Sequence, residues 1–252
     1  MKNATTREGA GGDKPLALIA AGGEGRRLGS SGPKALVFCA GRPLLAWCLD
    51  AFAQSRTFGD GAGLVVVAAH ASDLPAFESA ADEARATGLH VLVTEGGPSR
   101  SHSVAAALRA GQAEAADEAG TVLVHDAARI FTTPELIDAL HDGLAAGSVD
   151  ALIAAAPVTD TIKRADADQI VRETPPRDQL WAVQTPQAFR IEALSSALDA
   201  DDAILANATD DASLIEAGGG KVKLFNWSTP NPKITTSEDL AAAEGQLRRS
   251  GR

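Results

Sequence analysis

Five short apolar runs separated by segments of helical spacing constrain this chain more than any other feature. The runs are residues 15–21 (PLALIAA), Leu64–Ala69 (LVVVAA), 89–94, 121–125 and 151–156. Each is short and mainly apolar on successive residues, as expected of strands buried on both faces. Between them, residues 42–55 place Leu45, Leu49 and Phe52 on one helical face, and residues 74–87 and the Ala-rich 101–116 also read as helices. Thr133, Pro134 and Glu135 supply an N-cap, an N1 proline and a first-turn acid for a helix to residue 146. Strict alternation of this kind predicts an α/β fold, a Rossmann-like parallel or mixed sheet sandwiched by helices with right-handed crossovers. Ligands in such sheets bind at the carboxyl ends of the strands, where the strand order reverses.

The rhythm stops after Pro157. Residues 161–164 and 170–173 are short, half-polar runs, and Pro175–Pro176 stiffens the exit. These features predict a protruding β-arm over about 158–183, too polar to be another βα unit. Thr209 is expected to cap a helix with Asp210 and Asp211 in its first turn, ending near Gly218. Val222–Asn226 is a further strand, and Thr236 or Ser237 caps a last helix. Residues 15–247 are read as a single domain and residues 1–14, polar and Gly-rich, as a flexible tail.

The net charge of −10 argues against a nucleic-acid surface, since phosphate backbones select basic patches. A small anionic ligand needs only a few local cations. Cys39 and Cys48 form no CxxC pattern and are expected to be buried thiols, consistent with a reducing compartment. With no apolar run of membrane length and no apolar leader, a cytoplasmic location is expected. His70, His90, His102, His125 and His141 share no metal-ligand spacing, although His125 adjoins Asp126.

Residues 20–34 read AAGGEGRRLGSSGPK, directly after the first strand. Three origins compete for such a loop. A dinucleotide site requires GxGxxG with an acid ending the second strand; here Gly23, Gly25 and Gly29 are spaced otherwise, and Leu64–Ala69 runs into His70. A Walker loop requires GK[ST], whereas Lys34 follows Pro33. An ordinary βα turn explains the glycines but not Arg26, Arg27 and Lys34 gathered in an acidic protein. Backbone amides beside clustered cations suit a nucleoside triphosphate undergoing phosphoryl transfer.

The loop resembles the signature loop of the nucleotidylyltransferases, broadly A-A-G-x-G-x-R-[LM] followed by P-K. Residues 95–103 (EGGPSRSHS), 125–129 (HDAAR), 209–213 (TDDAS), 233–239 (KITTSED) and 185–187 (TPQ) resemble segments of the 2-C-methyl-D-erythritol 4-phosphate cytidylyltransferases of non-mevalonate isoprenoid precursor synthesis. The resemblance implies CMP transfer from CTP to a small polyol phosphate, with Mg²⁺ on the phosphates. It implies nucleotide contacts from Ala20, Ala21, Gly22, Gly23, Gly25 and Arg26, and base recognition by Gly96, Gly97 and Ser103; read from the residues alone, the same segment is a loop leading into the 101–116 helix with Ser101 as its cap. Arg27 and Lys34 would stabilise the reacting phosphates. Asp126 would meet the acceptor hydroxyls and Mg²⁺, with Arg129, Thr161 and Thr209 also on the acceptor. Arg177 and Lys233 would position the acceptor for attack. The arm implies a homodimer in which Thr161 and Arg177 complete the neighbour's site. Pro98 stands where the family often has an acid, and Ile130 where it usually has proline. A ribitol 5-phosphate cytidylyltransferase and a non-catalytic nucleotide-binding paralogue are the alternatives.

Overall fold

The computed structural model of the chain describes residues 14–29, 32–115 and 120–250. The expected tail at residues 1–14 falls almost wholly outside them. In chain order the strands are β1 (Leu16–Ala20), β2 (Phe38–Cys39), β3 (Arg42–Pro43), β4 (Leu64–Ala69), β5 (His90–Glu95), β6 (Thr121–Asp126), β7 (Ala151–Pro157), β8 (Arg164–Ala165), β9 (Val171–Glu173), β10 (Trp181–Arg190) and β11 (Val222–Asn226). The helices are α1 (Leu44–Gln54), α2 (Leu74–Ala86), α3 (Arg100–Ala115), α4 (Pro134–Ala146), α5 (Ile191–Leu198), α6 (Asp202–Asn207), α7 (Asp211–Ala217) and α8 (Ser237–Arg249).

Seven strands form one sheet in the order β11-β7-β10-β6-β1-β4-β5. All neighbours are parallel except β10, which runs antiparallel to both β6 and β7. β1 is an interior strand, next to the central β6, and its side chains divide between the two faces as a pleated strand must. Ala17 and Ile19 join Leu45, Leu49, Phe52, Phe77 and Leu140 from α1, α2 and α4. Leu16 and Leu18 join Val104 and Leu108 of α3 and Leu194 of α5 on the opposite face. The first five strands and four helices of the sequence reading are therefore present, on a mixed sheet.

The sequence carries no comparable signal for β10. Gln184, Thr185, Pro186 and Gln187 interrupt its apolar alternation, and a proline argues against an interior strand. The structure accommodates that segment with a register irregularity against β7 between Val183 and Gln187. Beyond it, Ala188 and Phe189 are fully buried. The arm is present as the exposed antiparallel pair β8–β9, and it returns into the start of β10. Two capping assignments are corrected. Asp210, not Thr209, caps α7, its carboxylate accepting from the Ser213 N–H; the hydroxyl of Thr209 makes no such bond. Ser101 lies inside α3, and Ser99 Oγ instead accepts from the His102 N–H at 3.4 Å.

A third apolar cluster docks α8: Trp47, Ile130, Phe131, Ile234 and Leu247. Ile130, the departure from the family's usual proline, is thus a buried anchor. Thr236 caps α8 with a reciprocal box to Asp239, and the Ile234 N–H donates to Ala128 O at 2.9 Å. Those bonds hold Lys233 beside the end of β6.

Phe189 tests the β10 insertion. Phe189→Ala removes a fully buried ring at the join between β10 and β6, and should lower unfolding stability by about 3–5 kcal/mol in urea titrations. A loss below about 1 kcal/mol would be the cost of an exposed strand.

Candidate active site

The site lies where the strand order reverses. β1 sits between β4 and β6, and its last residue, Ala20, is in register with both Ala68 and Asp126. The chain leaving β1 folds back on itself: the Lys34 N–H donates to Gly23 O at 2.8 Å and the Gly25 N–H to Gly32 O at 3.1 Å. Gly22 and Gly23 both line the cavity above this loop. Gly22 passes close to His70, whose ring would lie 3.6 Å from a Cβ there. Arg27 is on a single 3₁₀ turn, Arg26–Leu28, and Lys34 opens another, Lys34–Leu36. The side chain of Arg26 lies outside the described residues.

A cavity of about 380 Å³ opens above this loop. Ala20, Ala21, Gly22, Gly23, Arg27, Lys34, Gly97, Ser103, Asp126 and Lys233 line it, with Glu24, His70, Pro98, Ser99 and Arg100. Gly25 and Gly96 are not among its lining residues; the Gly96 N–H donates to Ala69 O at 2.7 Å. A Cβ at Gly97 would fall 2.4 Å from His102 Cβ, and one at Gly96 2.8 Å from Ser103 Oγ. Both glycines let the loop press onto the start of α3. Ser103 Oγ accepts from the Gly97 N–H at 3.1 Å and lies 2.9 Å from Ser99 O, so this hydroxyl already ties loop to helix.

A second cavity of about 570 Å³ shares Arg100, Asp126 and Lys233 with the first. Arg129, Thr209, Gln187, Thr185, Ile153 and Trp181 are among its other walls. Asp126 divides the two. Its Oδ2 accepts from Lys233 Nζ at 2.8 Å and its Oδ1 from Arg100 Nε at 3.3 Å. Burial alone would raise its pKa, but Arg100 and Lys233 outweigh burial and hold it well below the usual carboxylate range. Arg129 is not its ion-pair partner: that guanidinium donates to Asn231 O at 2.7 Å. Thr161 and Arg177 line neither cavity. Both are exposed, and Arg177 Nη1 donates to Thr159 O within the arm.

The loop behind Asp126 is held by buried polar groups. The Asp126 N–H donates to Thr185 Oγ1 at 3.0 Å, and the same hydroxyl meets His125 Nδ1 at 2.9 Å. Asn231 Nδ2 donates to Thr185 O, and Thr132 Oγ1 donates to Asn231 Oδ1. Burial pushes the His125 pKa down to about 3, so its imidazole is neutral. Cys39 and Cys48 are free, buried thiols away from this network's hydrogen bonds, with burial raising the pKa of each. Among the described residues, no helix is long and apolar enough to cross a membrane, and no cluster of three His, Cys, Asp or Glu is placed to hold a metal.

The profile of the 2-C-methyl-D-erythritol 4-phosphate cytidylyltransferases matches residues 16–249. This chain belongs to that family. The protein of that name from Parasynechococcus marenigrum is 41% identical over 230 residues, covering 91% of this chain and 96% of its own. That from Frankia casuarinae is 41% identical over 233 residues, covering 92% of this chain and 81% of its own. The crystal structure of the Thermus thermophilus cytidylyltransferase superposes with a TM-score of 0.72 at 31% identity, covering 93% and 99% of the two chains. The Anaerococcus prevotii 4-diphosphocytidyl-2C-methyl-D-erythritol synthase gives 0.77 at 26%, covering 94% and 97%.

Within this family member, three residues around Asp126 carry no assignment from sequence: Arg100, Thr185 and Asn231. Arg100 sits inside the EGGPSRSHS segment, where a cation on the first turn of a helix is unfavourable and so calls for a partner. Asn231 directly precedes Pro232 and Lys233, with no period or charge to mark it.

Lys34 provides a pH test. Burial, with help from Lys233 and Arg27, lowers its pKa from 10.5 to about 8. Its ammonium is lost as pH rises through 8 in the free protein, so kcat/KM for CTP should fall above that pH. Bound phosphates raise the pKa again, so kcat should stay flatter. Lys34→Arg should abolish this alkaline limb whatever its turnover. The same shift makes the unfolded chain bind more protons between about pH 8 and 10.5, so Lys34 adds stability as pH rises through that window.

Proposed function

We propose that this chain transfers CMP from CTP to 2-C-methyl-D-erythritol 4-phosphate, giving 4-diphosphocytidyl-2-C-methyl-D-erythritol and pyrophosphate. The reading is supported by family membership and, above all, by two cavities that meet at one shared Asp126–Lys233 pair. One is lined by the loop glycines Gly22 and Gly23 with Arg27 and Lys34, and suits a triphosphate. The other offers Thr209, Arg129 and Asp126 to a hydroxylated acceptor.

The acceptor's phosphate oxygen attacks the α-phosphorus of CTP, and the bond to the pyrophosphate oxygen breaks. The attacking oxygen is already anionic, so no strong base is needed. Rate enhancement comes from positioning and charge neutralisation. Arg27 and Lys34 neutralise the reacting phosphates. Lys233, 45% exposed at the border of the cavities, receives the acceptor phosphate. Asp126 has one lone pair per oxygen left after binding Arg100 and Lys233, enough to accept from acceptor hydroxyls. Mg²⁺ binds few protein ligands and takes the rest of its shell from phosphates and water, which fits a cavity whose carboxylates are Asp126 and Glu24, with Asp126 the one that would hold it. When bound, it neutralises triphosphate charge.

Pyrophosphate release with CTP and Mg²⁺ tests the substrate. kcat/KM should be highest with 2-C-methyl-D-erythritol 4-phosphate; preference for ribitol 5-phosphate would replace this reading. Lys34→Ala should cost about 10²–10³-fold in kcat with the fold intact by circular dichroism. No turnover with any acceptor would favour a non-catalytic paralogue.

The arm points to a homodimer. Its exposed Ile162, Ile170 and Val171 bury little against their own chain, and Thr161 and Arg177 lie outside both cavities. In a homodimer with shared sites, these two residues reach the partner's acceptor. Mixing inactive Arg177→Ala with inactive Lys34→Ala should then recover activity, since a mixed dimer holds one intact site. No recovery in mixtures shown to exchange subunits would exclude sharing.

A further inference from the structure

We propose that Arg100 is a positioning residue for the acceptor, fixing the orientation of the Asp126 carboxylate with Asp211 as its buried anchor. The inference rests on the reading of the second cavity as the acceptor site. Arg100 Nη1 donates to Asp211 Oδ2 at 2.6 Å, and its Nε donates to Asp126 Oδ1 at 3.3 Å. Asp211 is fully buried in the first turn of α7, whereas the Arg100 side chain is 25% exposed and lines both cavities. The chain of contacts therefore runs from a sealed carboxylate to an open one.

Helix stability does not explain the placement. Arg100 is the first residue of α3, where the helix dipole disfavours a cation. Burial also disfavours its charge, and only the two carboxylates offset that and raise its pKa. Nor is Arg100 needed to give Asp126 a counter-ion, since Lys233 already binds Oδ2. Its own contribution is the second oxygen. With both oxygens held from different elements, α3 and the segment before α8, the carboxylate plane cannot turn. Without Arg100, Asp126 can swing onto Lys233 alone, presenting the acceptor with a misaligned carboxylate. The nucleotide cavity keeps its loop and Lys34 in either case.

The test compares Arg100→Gln, Asp211→Asn and the double variant Arg100→Gln/Asp211→Asn with wild type, each checked by thermal melt. Arg100→Gln strands the Asp211 charge and is expected to be destabilised; the double variant removes both charges and should regain wild-type stability. In the double variant, KM for 2-C-methyl-D-erythritol 4-phosphate should still be raised about tenfold or more, with KM for CTP within about twofold of wild type. Asp211→Asn alone should give a smaller rise of the same kind. If the double variant recovers wild-type KM for the acceptor along with its stability, Arg100 is only a structural ion-pair member and the proposal is wrong. Equal rises in both KM values would also overturn it. Wild type lacking activity with this acceptor would instead overturn the functional reading.

Discussion

A carboxylate at the end of a buried strand is the interaction on which the remainder of the structure depends. Asp126 closes β6, the central strand of the sheet, where an isolated charge would be costly. Two cations from distant parts of the chain, Arg100 and Lys233, offset that cost. Recruiting them requires α3 to start at the tip of β5 and the segment before α8 to cross back over β6. Asp211 then balances Arg100, so two acids and two bases form one nearly neutral group. The packing of Ile234 and the capping box at Thr236 are the means by which a residue so late in the chain reaches the middle of the sheet.

The electrostatics of the cavity above the first loop are opposite in sign to those of the protein. The chain carries a net charge of −10, yet Arg27, Lys34, Arg100 and Lys233 line this cavity against Glu24 and Asp126. An acidic exterior around a cationic cleft repels long polyanions and favours small anions in a recess where field lines concentrate. Burial in that recess is the main cause of the depressed Lys34 pKa, and the crowding of like charges there adds to it.

Much of this was legible in the sequence, for physical reasons. Buried parallel strands need unbroken apolar runs, so β1, β4, β6 and β7 announce themselves; Thr133, Pro134 and Glu135 mark α4 because unsatisfied helix-end amides demand them. The loop glycines and Arg27 and Lys34 stood out against an acidic background. β10 did not, since its central residues serve the site and not the core: Thr185 faces the Asp126 amide and Gln187 Nε2 donates to Asp210. Arg100 was visible as a residue but not as a partner. Its two carboxylates lie far along the chain, and no local period encodes such a contact. The capping errors at Ser101 and Thr209 have a similar cause. In each segment more than one residue can cap, and the choice is made by tertiary contacts.

The position of β10 also dictates when the site can exist. By residue 126 an emerging chain holds β1, β4, β5 and β6, a contiguous parallel sheet whose β6 edge is open. β7 follows but does not neighbour β6, and has no place in the sheet until β10 arrives between them. During synthesis the apolar edge of β6 is therefore a transient aggregation hazard. Its removal and the seating of the Thr185 hydroxyl on the Asp126 amide are one event. Closing the sheet and fixing the backbone of Asp126 are thus coupled, while its carboxylate still awaits Lys233.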